Sequence, residues 1–482
     1  MEPLERATQF VRAYVEQQRE AFLGHARAIW SHPELGCEEV RASRLLVEVL
    51  REHGFAVETG VAGMPTAFVA RWGEGRPVVA FSCEYDALPG LSQARPDLGA
   101  GPAQAPVVAA APGHGCGHNL LGVGNVLAAV AVRRWLEAER RPGAVVVFGT
   151  PAEEICVGKP YMARAGAFRG VDAVLDWHPW DANSANADHC NAYFNVKYHF
   201  HGRTAHGNSP WTGRSALDSA VLMGHAIEML REHVAPGPVG AASTINYTFS
   251  DVGPEYPSVV SDRATLWVVG RLADSAVLRD VLQRVTRCAE GAALATGTTW
   301  EMEFKTASHE KIPNRTLSAV LHRHLSALGA PAFDEREQAY ARGVQRQVGA
   351  EELGLAREIL PLAEGSSGLT DNSEYTWFAP FAMLWLAAAP AGTAWHSWIV
   401  TGCAGSSIGE KALLRAAEVL AGAGVELFLS PAILEEAKAE MAGRLRGRPY
   451  LPLIPDGVEA PIGVNRATME RFRPLMDQAD AR

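Results

Sequence analysis

Three short apolar runs, 77–83, 144–149 and 171–177, lead into groups that bind cations or protons: Glu84-Tyr85-Asp86, Glu153-Glu154 and His178. All three read as short strands, and 144–149, almost wholly apolar, reads as a central one covered on both faces, the kind found in α/β sheets sandwiched between helices. In such sheets ligands bind beyond the carboxyl ends of the strands. The repeated device points to a site assembled from several loops of one α/β sheet. Each signal also has a plainer reading. Glu84 and Asp86 are either carboxylates that fix a ligand imidazole or a solvated strand end. Glu153 and Glu154 follow the most apolar run, where adjacent carboxylates are expensive unless they serve a cation or a proton. Acids also favour a helix start, however, and a helix is expected over 155–165. Pro179 disfavours helical geometry at His178, which leaves the imidazole at a strand end.

The stretch Pro112 to Gly124 holds the densest donor set, with His114, Cys116 and His118 alternating with glycines. Glycine between neighbouring donors lets the backbone turn them inward without obstruction. Cys and His together favour zinc, manganese or another transition ion over magnesium or calcium. A glycine turn that happens to carry two histidines and a thiol fits the stretch equally well in isolation. His396, in Trp395-His396-Ser397, is the last candidate ligand. Ser366 has no histidine arrangement that argues for a serine nucleophile, and 405–411 lacks the residue order of a phosphate loop.

At 482 residues the chain exceeds one hydrophobic core, so two domains are expected, one inserted into the other. A net charge of -10 argues against a nucleic-acid partner and for small-molecule substrates. The 7 cysteines are scattered and odd in number, which fits a reducing cytoplasm rather than a disulfide framework. No apolar run reaches the roughly 18 residues of a membrane span, and the N-terminus lacks a signal-peptide pattern. The Ala/Pro/Gly-rich stretch 91–112 reads as a long loop bordering an active site. Beyond it an Ala-rich helix is expected over 126–136.

Between 189 and 308 the pattern changes. Strands over 190–200, 242–249, 264–271 and 299–306 and helices over 214–233 and 275–295 give the order βαββαβ, a ferredoxin-like α+β unit. The expected organisation is a catalytic domain in two parts, 1–188 and 309–482, with 189–308 inserted as a lid. In the lid, His206 sits on a turn from which it could donate to a developing oxyanion. Arg271 and Arg315 could each grip a substrate carboxylate, although arginines in such places are more often ordinary exposed ones. Asn246 on a lid strand and Thr370 in the polar loop 365–375 complete the candidate substrate contacts. A charged helix over 334–352 reads as solvated, the packed chain is expected to end near 441, and the Pro-rich tail beyond Arg448 to drape over the surface.

Taken in order, Glu84-Tyr85-Asp86-Ala87-Leu88-Pro89-Gly90, Gly113 to Asn119, Pro151 to Glu154, His178, Gly202 to His206, Thr370-Asp371 and His396 with Ser406-Ser407-Ile408 resemble the M20 metallopeptidase and amidohydrolase family. The resemblance implies a mixed-sheet α/β, di-metal exopeptidase-like catalytic domain with an inserted ferredoxin-like α+β lid that forms a homodimer. It implies two divalent ions per chain, Mn or Zn with Co as a further option, with Cys116 bridging them and His118, Glu154, His178 and His396 as the other ligands. Glu153 matches the general base, Asp86 the acid behind the ligands, and His206 the lid histidine. The implied reaction is hydrolysis of an amide between an acyl group and an amino acid. Glu84 and Asn119, which stand where Asp is usual, resemble the p-aminobenzoyl-glutamate-type members, whereas Glu374 departs from the usual Asp. Dipeptidase or hippurate-type aminoacylase activity, a related A-type subunit as partner, and an inactive metal-binding regulatory subunit are the alternatives that the same resemblance leaves open.

Overall fold

The computed structural model describes residues 3–236 and 242–480. The chain opens with helices α1 (Pro3–Ser31) and α2 (Val40–Glu52), then β1 (Ala56–Thr59), β2 (Phe68–Glu74) and β3 (Val78–Cys83). A long loop leads to α3 (His118–Ala138), β4 (Gly143–Gly149), α4 (Gly158–Arg164), β5 (Ala173–Trp180) and the short β6 (Ala187–His189). The second unit follows as β7 (Ala192–His201), α5 (Ala216–Arg231), β8 (Thr244–Gly253), β9 (Arg263–Leu272), α6 (Ser275–Thr296) and β10 (Thr299–Ser308). The chain then returns through α7 (Arg315–Leu328), α8 (Glu335–Gln347), β11 (Glu364–Ser366), β12 (Phe381–Ala387), α9 (Trp398–Ala404), α10 (Ser407–Leu429), α11 (Pro431–Leu445) and α12 (Arg466–Asp480).

Every residue of β3 and β4 is buried, as their unbroken apolar runs require, and both lie in the middle of a six-stranded sheet of order β1-β2-β4-β3-β5-β12. The pairs β1/β2 and β2/β4 are antiparallel, while β3/β4, β3/β5 and β5/β12 are parallel, so the sheet is mixed. The parallel strands send their carboxyl ends to one edge. On one face α1, α3 and α10 share an apolar cluster with Val79, Phe81, Val145 and Leu175. Small residues permit this close approach: a Cβ on Gly424 would stand 2.8 Å from Val132, and one on Gly124 would stand 2.7 Å from the Trp177 indole.

The second unit forms a four-stranded antiparallel sheet of order β10-β7-β9-β8, the ferredoxin-like arrangement expected from βαββαβ. Its helices start where side chains cap them, Ser215 accepting from the Asp218 N–H and Asp274 from those of Ala276 and Val277. Phe194, Leu266 and Val285 of this unit belong to one apolar cluster with Phe148 and Val174 of the first sheet. The Tyr161 hydroxyl of α4 donates to the Lys305 carbonyl of β10 at 3.0 Å and adds a polar link between the two units.

Several local expectations change. Helix α3 begins at His118, eight positions earlier than the Ala-rich run, because Gly117 takes φ 77° and lets the chain turn directly from the donor stretch into the helix. The helix expected over 155–165 breaks into a 3-10 turn, Glu153–Ile155, and the shorter α4, with Ala152 and Cys156 both left-handed at the ends of the turn. The second half of the polar loop 365–375 belongs instead to a fully buried 3-10 helix, Asp371–Trp377. The charged helix α8 is shorter than expected and buries Gln338, Tyr340, Val344 and Gln345, with both glutamine amides bonded to backbone groups of 354–355. The C-terminal stretch folds into α12, whose Met469, Phe472 and Met476 pack on Leu35 and Ala111. A pattern of three apolar side chains spaced at three and four residues within a charged stretch is a helix face, and it was concealed by the preceding prolines. Among the described residues no single helix is long and apolar enough to cross a membrane.

Candidate metal centre

The carboxyl ends of β3, β4 and β5 deliver Glu84 and Asp86, Glu153 and Glu154, and His178 to the start of α3, where Cys116 and His118 wait. Asp86 is the hinge of this arrangement. One of its oxygens accepts the His118 Nδ1–H at 2.9 Å, and the other accepts the Glu154 backbone N–H at 2.9 Å. A carboxylate on Nδ1 fixes the tautomer and leaves the Nε2 lone pair of His118 free to face the cluster. His178 is held in the same way, its Nδ1–H donating to the Pro179 carbonyl at 2.6 Å while Nε2 stands 3.4 Å from Cys116 Sγ. His178 lies inside β5 rather than beyond its end, because the strand runs on through Pro179 to Trp180 in pairing with β12.

The loop after β12 adds the last imidazole. Asp181 accepts the Gly392 N–H at 2.8 Å and Gln345 donates to the Ala391 carbonyl at 2.8 Å, anchoring the loop at both walls. His396 takes φ 58°, a left-handed conformation that a non-glycine residue holds only when its surroundings impose it. Its Nε2 stands 3.4 Å from Glu154 Oε2.

Among the described residues three donor groups follow, each with its atoms within 4.8 Å of one another: Cys116, His118 and His178; Cys116, Glu154 and His396; and Glu84, His118 and Glu153. Cys116 belongs to two of these groups and His118 to two. The residues fit divalent cations on an independent ground. His118 Nε2 and Glu154 Oε1 are buried with no hydrogen-bond partner, and an orphaned pair of electron donors inside a protein is costly unless a cation takes them up. The mixed S, N and O donor set suits a borderline transition ion.

The electrostatics couple protons to the site: against the effect of burial, the neighbouring Cys116 and Asp86 raise His118 well above its ordinary value, so a cation would take the place of a proton on Nε2. Burial and then Glu84 raise Glu153 above the ordinary carboxylate range, and burial likewise raises Glu154. Burial and the neighbouring His118 lower His178 to about 4, which keeps it neutral and able to act as a ligand. Burial pushes the Cys116 thiol up, the effect that adjacent cations would reverse. His114, the third member of the donor stretch, turns away. It is buried, its Nε2 lies 3.2 Å from the Ile29 carbonyl, and burial lowers it to about 3.

Other candidate residues lie elsewhere. His206 sits on an exposed turn, its Nδ1 accepting the Asn208 N–H at 3.0 Å, apart from the cluster. Arg271, on β9, places its guanidinium over the Tyr193 ring and pairs in register with Thr244, two residues before the exposed Asn246 of β8. Arg315 is exposed at the first turn of α7, where its backbone N–H donates to Glu440 of α11. The Thr370 hydroxyl caps the 3-10 helix by accepting the Asn372 N–H.

Sequence reasoning missed Lys159. This side chain is fully buried, with Nζ 2.8 Å from Glu84 Oε1 and 2.5 Å from Asp371 Oδ1. Burial opposes the ammonium, but Asp371 and Glu84 overcome it and hold Lys159 well above its ordinary value. The clamp turns Glu84 so that its other oxygen faces His118 Nε2 at 3.6 Å. Gly158-Lys159-Pro160 contains no local hint of burial, since lysine is the residue least expected inside. Its two partners arrive from positions 84 and 371.

The pattern of peptidase family M20/M25/M40 matches residues 80–315. The B-type subunit of p-aminobenzoyl-glutamate hydrolase from Escherichia coli (strain K12) is 35% identical over 93% of this chain and 98% of its own. Xaa-Arg dipeptidase of Mus musculus is 29% identical over 90% of this chain and 91% of its own. The crystal structure of Bacillus subtilis YXEP, a dinuclear metal binding peptidase from the M20 family, shares the fold with a TM-score of 0.53 at 19% identity, covering 86% of this chain and 99% of that one. Similarity that runs almost end to end with the first of these settles the family: this chain belongs to peptidase family M20, a hydrolase of amide or peptide bonds in a family whose dinuclear members imply divalent metal ions.

Proposed function

We propose that this protein hydrolyses the amide bond of an acyl amino acid, of the p-aminobenzoyl-glutamate kind, using two divalent ions, Mn or Zn. The observation that carries this reading is the pair of orphaned donors, His118 Nε2 and Glu154 Oε1, buried where the ligand groups converge. Cys116, His118, Glu154, His178 and His396 would hold the ions. When bound, the two ions supply a Lewis-acid field that eases deprotonation of water and polarises the scissile carbonyl. Glu153 accepts the proton from the attacking water and returns it to the leaving nitrogen, a task for which a raised carboxylate is suited. Asp86 holds the His118 ring and the Glu154 backbone in one geometry. Arg271, Arg315, Asn246 and Thr370 are the candidate contacts for the substrate carboxylate; of the two arginines, Arg271 lies on β9 of the lid with its guanidinium over the Tyr193 ring.

A metal-loaded hydrolysis screen tests the reading. Release of amine from p-aminobenzoyl-glutamate, hippurate and acetyl amino acids is the expected result. Cleavage confined to dipeptides would move the protein to a dipeptidase role, which the 29% identity with Xaa-Arg dipeptidase supports as the second reading. No hydrolysis with any metal would leave a metal-binding regulatory subunit. The 7 free cysteines fit work in a reducing cytoplasm.

The unit 189–308 serves as a dimerising lid in this reading. Strand β8 is an edge of its sheet and carries the exposed Phe249, while Met229 is exposed on the adjoining α5. An open edge with apolar neighbours is protected by pairing with a copy of itself, which would also carry His206 toward the opposite centre. Sedimentation is expected to show a homodimer at micromolar concentration. A fully active monomer would defeat the idea, and a second, A-type chain that is required for activity would replace the homodimer by a mixed assembly.

A further inference from the structure

The parallel register of β5 and β12 sets Trp385 directly beside His178, with ring centroids 5.2 Å apart. Trp180, two residues beyond His178, points to the same face of the sheet, as the strand period of two requires, and lies 5.3 Å from Trp385. Trp395 closes the group from the loop that carries His396. Its ring lies 4.7 Å from Trp180, and its Nε1–H donates to Cys116 Sγ at 3.2 Å. One indole is therefore tied to a donor atom of the metal centre, and another, Trp180, remains 36% exposed at the outer end of the wall. An apolar patch left open beside a catalytic cluster marks a binding surface, and indole faces favour a second flat ring in offset or edge-on contact.

We propose that Trp180, Trp385 and Trp395 form a subsite for a flat aromatic acyl group. The proposal rests on the hydrolase reading above and names the substrate class it serves. Charge assigns the wall to the acyl half of the substrate rather than the amino-acid half. The wall consists of uncharged indole faces, and the buried ammonium of Lys159, which could otherwise attract a carboxylate, is already engaged by Glu84 and Asp371. An uncharged ring gains contact area on the wall, whereas a short alkyl acyl group leaves the indoles wet.

The test compares kcat/KM for N-benzoyl-glutamate and N-acetyl-glutamate, whose amine halves are identical, in the metal-loaded parent, Trp180→Ala and Trp180→Phe. Trp180→Ala is expected to lower the benzoyl-to-acetyl ratio by roughly 10- to 100-fold, the range over which apolar contacts discriminate substrates. Trp180→Phe should recover most of the ratio. An unchanged ratio, or equal loss with both substrates, overturns the subsite and leaves the indoles as packing. Calorimetric titration of the same three metal-loaded proteins with benzoate and with acetate separates this proposal from the hydrolase reading. Benzoate preferred by the parent and lost in Trp180→Ala supports the subsite even if no acyl amino acid is cleaved. Benzoate bound no better than acetate overturns it even if hydrolysis is confirmed.

Discussion

Glu153→Ala is expected to keep its metals and lose turnover by about 10²- to 10⁴-fold, the range for removing general acid-base assistance. Glu154→Ala is expected to do the reverse, releasing an ion first and losing activity as a consequence. The two carboxylates are neighbours in sequence but stand in different company. Glu154 faces His396 Nε2 at 3.4 Å and His118 Nε2 at 4.0 Å, with Oε1 otherwise orphaned. Glu153 lies with Glu84 and His118, and burial with the adjoining Glu84 raises its affinity for a proton. Metal content per chain and kcat on the best substrate of the screen decide between them. A Glu153→Ala protein that stays active with its metals in place rejects the proposed role of the base. If Glu153 is the residue whose loss empties the site, the two roles are exchanged.

Lys159→Met should destabilise the fold by about 3–5 kcal/mol at neutral pH, the usual consequence of leaving buried carboxylates without their counter-ion. The methionine fills much of the same volume, so the loss reports charge rather than a cavity. Urea unfolding of parent and variant, both metal-free, reads the difference without the contribution of bound ions. The pH dependence has a definite sign. Burial opposes ionisation of Glu84, but Lys159, together with His118 and His178, more than compensates and lowers its folded pKa. That contribution is fully present above the unfolded carboxylate value of roughly 4.3 and is lost as pH falls through the lowered folded value. The gap between parent and variant should therefore close on acidification. Lys159→Met with Asp371→Asn should recover part of the loss, since one unpaired charge is removed with its partner. A variant as stable as the parent across the range would mean that the clamp contributes no net stability.

The inserted unit was readable from its pattern because alternation at period two and apolar spacing near 3.6 are local properties, and the order βαββαβ leaves few ways to build a sheet. The central strand over 144–149 was equally readable, since an unbroken apolar run has no stable place except between two covered faces. The donor residues were legible as types: Cys116, His118, Glu154, His178 and His396 each stand out against an apolar or glycine-rich background. Boundaries were less secure. Gly117 converted loop into helix at His118, and Ala152 and Cys156 broke a helix that composition favoured. Backbone conformations of that kind depend on what presses against the turn, as where Ala152 meets Gly36 and donates to the buried Glu39.

By itself the sequence determined the layered α/β architecture, the inserted lid and the kinds of atom available for chemistry, because those follow from periodicity and from side-chain type. Only the tertiary structure decided which of those atoms meet. It separated His114 from Cys116 and His118, two and four positions away, because a glycine-linked stretch can turn successive side chains to different sides. It brought Lys159 to Glu84 and Asp371, distant on either side of it in the chain, and covered all three. It also placed Trp395 against Cys116, although nothing near either residue announces the other. Pairings of this kind arise from strand order and loop closure, and they are energetically decisive because burial removes the water that would otherwise satisfy each group alone.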